Sequence, residues 1–149
     1  MNEHDGTESR SCDFCMIAEG LASAEIIHET NLCLAFFPLK PATKGHTLVI
    51  PKRHTRDFLS AGPKVFATLS STAVEVGQIL KSVYGAEGIN MITSSGEAAS
   101  QSIMHLHVHL VPRWTCDAVG DIWPPSSPTR ADLLSSWAEE FRTFASRTK

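Results

Sequence analysis

The chain has 149 residues, of which 42% are hydrophobic and 19% are charged, and its formal net charge is −3 at pH 7. These values exclude a disordered or fibrous protein and predict one domain with enough length for a hydrophobic core. The small negative charge gives no support for a nucleic-acid surface. No apolar run approaches the length of about 20 residues that a membrane-spanning helix needs.

The N-terminal segment is polar and contains no apolar stretch, so it does not resemble a secretory signal. We expect a disordered tail over residues 1–10, followed by a single domain over residues 11–149. A chain without such a signal keeps its thiols reduced, which predicts a cytoplasmic protein without a disulfide framework. The cysteines concerned are Cys12, Cys15, Cys33 and Cys116.

Hydrophobic patterning predicts the elements in chain order. Residues 24–37 have the pattern of a β-hairpin with a tight turn at Glu29–Asn31, and residues 45–51 have that of a third strand. A long amphipathic helix of about five or six turns follows, with apolar residues at helical spacing. Those residues are Phe66, Leu69, Ala73, Val76, Leu80 and Val83. Pro63 and Gly85 are suited to the two ends of this helix.

Two further strands and a last helix complete the pattern. The strands are predicted over residues 88–93 and 102–112, the second ending at Pro112. The last helix follows Thr129, which with Asp132 resembles a capping box. The order of elements predicts an α+β fold, with helices packed on an antiparallel sheet.

The run "HLHVHLVP" begins at His105 and alternates histidines with aliphatic residues. In a strand of period two, His105, His107 and His109 share one face, with neighbours about 6.6 Å apart. The aliphatic residues at positions 106, 108 and 110 then point into the core. The shared face admits three interpretations: a solvated sheet surface, a metal site, or acid–base and nucleophilic catalysis. Three histidines on a straight strand are hard to wrap around one tetrahedral zinc, whereas neutral imidazole forms transient bonds to phosphorus or acyl carbon.

Other polar groups surround this run in the sequence. Residues 94–102, "SSGEAASQS", form a small, polar loop of the kind that contacts phosphate. His46 lies at the head of the third strand and His54 just past its end. The C-x-x-C of Cys12 and Cys15 is compatible with two buried thiols, a redox dithiol, or half of a structural zinc site.

Taken together, these motifs resemble the histidine triad (HIT) superfamily, in its Hint-like bacterial branch. The signature His-φ-His-φ-His-φ-φ, with φ apolar, occupies residues 105–111 and is followed by Pro-Arg. "CDFCMIAEG", "KGHTLVIPKRH" and "GINMITSSGEAASQSIMHLHVH" extend the resemblance over residues 10–115. It implies a five-stranded antiparallel sheet with a long central helix and a C-terminal helix. It also implies a homodimer in which two sheets join into one of ten strands.

The resemblance assigns roles to individual residues. His107 resembles the nucleophile that attacks the α-phosphorus of a nucleoside phosphoramidate or related nucleotide, forming a nucleotidyl-imidazole that water hydrolyses. His109 and His46 correspond to the histidines that bind phosphate oxygens and support proton transfer. Gln101 matches the glutamine beside the bridging atom, and Ser102 the small donor that follows it.

The resemblance also implies a structural zinc ion and a nucleotide ligand. Zinc is expected on Cys12, Cys15, His54 and His105, and no catalytic metal is required. The expected substrate is a derivative of a purine nucleoside monophosphate, and the expected protein partner is a second copy of the chain. Neither nucleic acid nor a membrane is expected to bind.

The sequence departs from the family pattern at three places. Pro38 occupies the place of an Asp or Asn that holds the ribose, and Ser94 and Ser95 replace the amide that contacts phosphate. Ser100 replaces a glycine. These changes favour a substrate other than a plain purine nucleoside phosphoramidate, or weaker turnover. The preferred interpretation is a nucleotide phosphoramidase or hydrolase. The alternatives are a dinucleoside polyphosphate hydrolase, a weakly catalytic nucleotide-binding regulatory dimer, and a metal-handling protein.

Overall fold

The computed structural model describes residues 12–148, and the tail predicted over residues 1–10 lies outside them. The elements in chain order are α1 (Asp13–Ala18), β1 (Glu25–Glu29), β2 (Cys33–Phe37), β3 (Thr47–Pro51), α2 (Gly62–Tyr84), β4 (Gly88–Ile92), β5 (Val108–Arg113) and α3 (Ala131–Arg147). A single 3₁₀ turn, Glu97–Ala99, lies between β4 and β5. The five strands form one antiparallel sheet in the order β1-β2-β3-β5-β4, which confirms the predicted α+β fold.

The sheet is covered on both faces. On one face, Leu69, Ala73, Val76 and Leu80 of α2 pack against the apolar residues of the central strands. On the other face, Phe14 of α1 packs against the alternate residues of β2 and β3. Because both faces are covered, all five residues of β3 are buried, as is typical of a central strand.

The long helix agrees with its predicted stripe, apart from one residue. It has 23 residues, Pro63 lies in its first turn, and Gly85 ends it in the left-handed conformation with φ of 60°. The predicted core position Val83 is instead 65% exposed, so the buried stripe ends at Leu80. An apolar side of this helix therefore faces outward.

The last strand is shorter at its start than the sequence predicts, and it does not end at Pro112. It begins at Val108, because the amide of Leu106 donates to the carbonyl of Thr55 at 2.6 Å instead of to a neighbouring strand. It continues through Pro112 to Arg113. The β3 ladder ends at Leu110, so a proline at position 112 is flanked by β4 alone and interrupts no central pairing.

The C-terminal helix is present, but the predicted capping box at Thr129 is wrong. The residue before the helix is Arg130, which makes no side-chain cap, and the carboxylate of Asp132 pairs with the guanidinium of Arg130 at 2.6 Å. None of the residues of α3 is buried within the described chain. Within residues 12–148, no helix is both long and apolar enough to cross a membrane.

Candidate active site and metal centre

The histidine run lies on the sheet face that α1 covers. Leu106, Val108 and Leu110 point to the opposite face and belong to the core beneath α2. His109 pairs with Leu48, whose side chain packs with Phe14 of α1. The predicted alternation between imidazoles and core residues is therefore confirmed, although only His109 lies within a ladder.

Aromatic contacts connect the three imidazoles. The ring centroids of His107 and His109 are 5.0 Å apart. The ring of Phe14 stands edge-on to both His105 and His107, at centroid distances of 5.8 Å and 5.3 Å. Phe14 therefore fixes the plane of the neighbouring imidazoles and excludes water from one side of them.

One group of four ligand atoms lies at the end of the run nearest to α1. The potential ligand atoms of Cys12, Cys15, His54 and His105 all lie within 4.8 Å of one another. The Sγ atoms of Cys12 and Cys15 lie 3.4 Å and 3.5 Å from Nδ1 of His105, and Nδ1 of His54 lies 3.3 Å from Sγ of Cys15. The structure thus brings together the four predicted metal ligands.

The donor set fits a tetrahedral zinc ion. Zinc–sulfur and zinc–nitrogen bonds place neighbouring ligand atoms about 3.5 Å apart, which agrees with these separations. His105 is fully buried, and its Nε2–H donates to the carbonyl of Pro51 at 2.8 Å, which leaves the Nδ1 lone pair directed at the thiols. Burial lowers the pKa of His105 to about 4, against the opposing effect of the Pro51 hydrogen bond. The imidazole is therefore neutral, the form that binds a metal.

His107 has the tautomer opposite to that of His105. Its Nδ1–H donates to the backbone carbonyl of His105 at 2.7 Å, so the unprotonated nitrogen is Nε2. Among residues 12–148, no hydrogen bond to Nε2 is formed, and 8% of the residue remains exposed. Burial lowers the pKa of His107, so the ring keeps this lone pair at neutral pH.

His46 and His109 form a second imidazole pair with a defined proton order. The backbone N–H of Ala42 donates to Nδ1 of His46 at 2.9 Å, so the proton of His46 lies on Nε2. That N–H donates to Nδ1 of His109 at 2.9 Å, so the proton of His109 in turn lies on its own Nε2. His107 therefore offers a lone pair and His109 an N–H, on rings in edge contact.

The predicted substrate-binding residues of the loop between β4 and β5 differ in burial and in hydrogen bonding. Gln101 is buried; its Oε1 accepts from the amide of Gly96, and its Nε2 donates to the carbonyls of Arg56 and Ile103. Its side chain thus holds the loop together, and its predicted place beside the bridging atom stays a prediction. Ser102 is exposed and lines an open cavity of about 500 Å³.

The same cavity extends toward the metal ligands. Its lining includes Cys12, His54 and Arg56, but among the described residues it includes neither His107 nor His109. Ser94 is half-buried at the start of the loop, and the hydroxyl of Ser95 donates to the carboxylate of Asp57 at 2.9 Å.

Two of the departures from the family pattern have local consequences. Ser100 adopts φ of 67°, in the left-handed region that favours the glycine it replaces. An L-residue in this conformation costs about 1–2 kcal/mol. Pro38 follows β2 directly and is half-buried. It has no side-chain polar atom with which to bind a ribose hydroxyl.

Three residues of the site were not predicted. Phe14 lies inside the C-x-x-C motif, and Asp57 lies three residues after the end of the motif "KGHTLVIPKRH". Thr93 ends the "GINMIT" run, and its hydroxyl donates to the backbone carbonyl of His107 at 2.8 Å. No pattern in the sequence distinguishes these three from ordinary packing residues.

The pKa of His109 predicts a pH-dependent contribution to stability. Burial is the main cause that lowers this pKa from 6.5 to about 4, and the nearby His107 and His46 contribute to the same shift. The folded state then binds fewer protons than the unfolded state, so acidification favours unfolding. We expect wild-type protein to lose stability relative to His109→Gln as the pH falls from 6.5 toward 4, measured by urea denaturation. A stability difference independent of pH would contradict this assignment.

Comparison with known proteins identifies the fold and its family. A HIT domain matches residues 19–115. A crystal structure of a Streptococcus mutans UA159 protein gives a TM-score of 0.87 at 33% identity, and the match covers 97% of this chain and 91% of that one.

Two further relatives bear on the site. A zinc-bound histidine triad family protein from Mycobacterium smegmatis gives a TM-score of 0.72 at 35% identity, covering 79% of this chain and 86% of that one. The adenylylsulfatase HINT3 of Arabidopsis thaliana is 30% identical over 127 residues, which are 85% of this chain and 63% of that protein. From the domain match and these likenesses, the chain belongs to the HIT family of histidine triad proteins.

Proposed function

We propose that the protein hydrolyses nucleoside phosphoramidates or related nucleotides at the α-phosphate, through a covalent nucleotidyl intermediate on His107. A nucleotide ligand is supported by the likeness to a hypothetical histidine triad nucleotide-binding protein from Sulfolobus tokodaii. The observation that carries the proposal is the pair of opposite tautomers, since His107 has a lone pair on Nε2 and His109 a proton on Nε2. A nucleophile and a hydrogen-bond donor side by side are suited to an anionic phosphoryl group.

The reaction proceeds by two displacements at phosphorus. The Nε2 lone pair of His107 attacks the α-phosphorus, the bond from phosphorus to the leaving amine breaks, and the amine takes that electron pair and a proton from water. Water then attacks the phosphorus and loses a proton to solvent. The electron pair of the phosphorus–imidazole bond returns to Nε2, which releases the nucleoside monophosphate.

The remaining groups stabilise charge and orientation. The carbonyl of His105, which accepts a hydrogen bond from Nδ1 of His107, stabilises the positive charge that His107 gains when it bonds to phosphorus. The Nε2–H of His109 is directed by His46 and donates to a non-bridging phosphate oxygen. The hydroxyls of Ser94 and Ser102 supply further donors at the loop.

A second candidate substrate is adenylyl sulfate, which the name of the Arabidopsis thaliana relative favours. The same attack on the α-phosphorus would expel sulfate instead of an amine. Dinucleoside polyphosphate hydrolysis uses the same step with a nucleotide as the leaving group, and a weakly catalytic regulatory dimer would bind nucleotide without turnover. Rates of hydrolysis measured with a nucleoside phosphoramidate, adenylyl sulfate and a dinucleoside polyphosphate separate these alternatives.

The exchange His107→Ala tests the nucleophile. We expect turnover of an adenosine 5′-phosphoramidate to fall about 10³-fold or more, because no other group forms the covalent bond. Binding of adenosine monophosphate, measured by calorimetry, should persist. Wild-type protein denatured in alkali during turnover should carry an adenylyl adduct on His107 by mass spectrometry. His28→Ala, a histidine outside the site, is the control, and equal rates for wild type and His107→Ala would disprove the mechanism.

We further propose that the site formed by Cys12, Cys15, His54 and His105 holds a structural zinc ion. These residues belong to the start of α1, the segment after β3 and the histidine run, so a bound ion would join these three parts of the chain. Among residues 12–148, Cys12, Cys15, Cys33 and Cys116 form no disulfide bond, as expected of a protein in a reducing, cytoplasmic environment.

Metal content tests this site. We expect about one zinc per chain in wild-type protein purified without chelator, and its loss in Cys12→Ser, because a three-ligand site binds more weakly. Cys116→Ser, which removes an exposed thiol outside the cluster, and His107→Ala should retain the metal. Elemental analysis measures the ratio. Metal-free wild-type protein, or zinc retained in Cys12→Ser, would contradict the assignment.

We also propose that two copies associate through β4 and α2 to form a ten-stranded sheet. The strands β1 and β4 are the two edges, and β1 has a register irregularity between Ile26 and His28 that disfavours further pairing. The β4 edge pairs regularly with β5 and carries the half-exposed Met91. The outward side of α2 adds exposed Ile79 and Val83.

A charge at the β4 edge tests the dimer. We expect Met91→Asp to convert the dimer to monomer in sedimentation analysis, because a buried, unpaired carboxylate opposes association. Leu39→Asp places the same charge on a fully exposed loop residue and should leave the dimer intact. Monomeric wild-type protein, or a dimeric Met91→Asp variant, would exclude this interface.

A further inference from the structure

Four consecutive residues after β3, positions 54–57, make four contacts with three parts of the site. We call them the linking segment. They contact the metal cluster, the histidine run and the loop between β4 and β5 at two points. Nδ1 of His54 lies 3.3 Å from Sγ of Cys15, and the carbonyl of Thr55 accepts a hydrogen bond from the amide of Leu106 at 2.6 Å. The carbonyl of Arg56 accepts from Nε2 of Gln101 at 2.7 Å, and Oδ2 of Asp57 accepts from the hydroxyl of Ser95 at 2.9 Å.

Asp57 is the charged member of the segment that touches the loop. It is only 7% exposed, and both of its carboxylate oxygens accept hydrogen bonds. Oδ2 accepts from Ser95, whereas Oδ1 accepts from the amide of Ser60 at 2.9 Å. Hydrogen bonds from the backbone of Ser60 and from Ser95 lower the pKa of Asp57, so the carboxyl is ionised at neutral pH.

The ionised carboxylate decides what Ser95 can do. A hydroxyl has one proton to donate, and a carboxylate has none to give in return. The bond between Ser95 and Asp57 therefore uses the Ser95 proton, so this hydroxyl cannot also donate to a phosphate oxygen. Ser95 was predicted to contact substrate, but its geometry suits it to anchoring the loop.

The rest of the loop is held in the same internal way. The amide of Gly96 donates to Oε1 of Gln101, and the amide of Gln101 donates back to the carbonyl of Gly96. Both protons of the Gln101 side-chain amide go to backbone carbonyls. The linking segment thus forms hydrogen bonds with the loop at both ends, through Asp57 near the start of the loop and through Arg56 near its end.

We propose that Asp57 is a positioning residue, which holds the loop of residues 94–102 in place through Ser95, and that the Ser95 hydroxyl does not contact substrate. Ser94 and Ser102 remain as the loop hydroxyls available to phosphate. The effect on turnover rests on the proposed nucleotide hydrolase activity. The effect on loop order does not.

A double-mutant cycle tests the proposal in the full chain. We expect Asp57→Ala and Ser95→Ala each to lower kcat/KM for an adenosine 5′-phosphoramidate by about 10-fold, the effect of losing a hydrogen bond to a charged group. The double variant should be no worse than Asp57→Ala, because Ser95 acts only through Asp57. Asp57→Asn should recover part of the loss, since its amide can donate to the Ser95 oxygen. Zinc content should be unchanged in all of them.

Ser60→Ala is the matched control. It removes a hydroxyl that contacts the same carboxylate, at Oδ1, without touching the loop. Its kcat/KM should equal that of wild type. A loss as large as that of Asp57→Ala would mean that Asp57 serves local stability alone, and would overturn the proposal. If Ser95→Ala lowers kcat/KM as much in the Asp57→Ala background as it does in wild type, Ser95 contacts substrate. That result would also overturn the proposal.

Hydrogen–deuterium exchange gives a readout that needs no substrate. We expect the amides of residues 94–102 to exchange faster in Asp57→Ala and in Ser95→Ala than in wild type, and at the wild-type rate in Ser60→Ala. If wild-type protein does not turn over the phosphoramidate, the proposed function is refuted. The comparison of exchange rates among the variants still decides whether Asp57 is a positioning residue. Unchanged exchange in Asp57→Ala would overturn the inference even in an active enzyme.

Discussion

The alternation of side chains from His105 to Leu110 is the constraint on which the rest of the site depends. Leu106 and Val108 are fully buried beneath α2, so the imidazoles between them have to face α1. A slip of one residue would place imidazoles in the core and aliphatic chains at the site, which the loss of apolar burial opposes. The packing of α2 and the orientation of the histidines are thus consequences of the same register.

Backbone groups, and not carboxylates, set the protonation of the imidazoles. The carbonyl of Pro51 orients His105, the carbonyl of His105 orients His107, and the amide of Ala42 orients His46. A carboxylate beside His107 or His46 would set a full negative charge near the phosphate that we propose binds there. Neutral partners fix the tautomers without that repulsion. The buried carboxylate of Asp57 is used elsewhere, where it contacts Ser95 of the loop.

The loop between β4 and β5 combines an unfavourable conformation with many internal hydrogen bonds. Ser100 stands in the left-handed region at φ of 67°, and its amide donates to the carbonyl of Glu97 at 2.8 Å. Such conformations persist where the surroundings over-determine them, and they concentrate at functional sites. Here the surroundings are Gln101 and the linking segment, which hydrogen-bond the loop near its two ends, whereas its tip is exposed.

The sequence by itself determined the order of the five strands with α2 and α3, the antiparallel α+β fold and the common face of the three histidines, because these follow from local periodicity. It did not predict the short helix α1. Through the family resemblance it also identified four metal ligands, which the structure brings within reach of one ion. The tertiary structure alone decided where β5 begins, which nitrogen of each imidazole carries the proton, and that Gln101 and Ser95 are committed to the loop. These features depend on hydrogen-bond partners such as Ala42, Thr55 and Asp57, which lie dozens of residues away in the chain and which no local pattern connects to the triad.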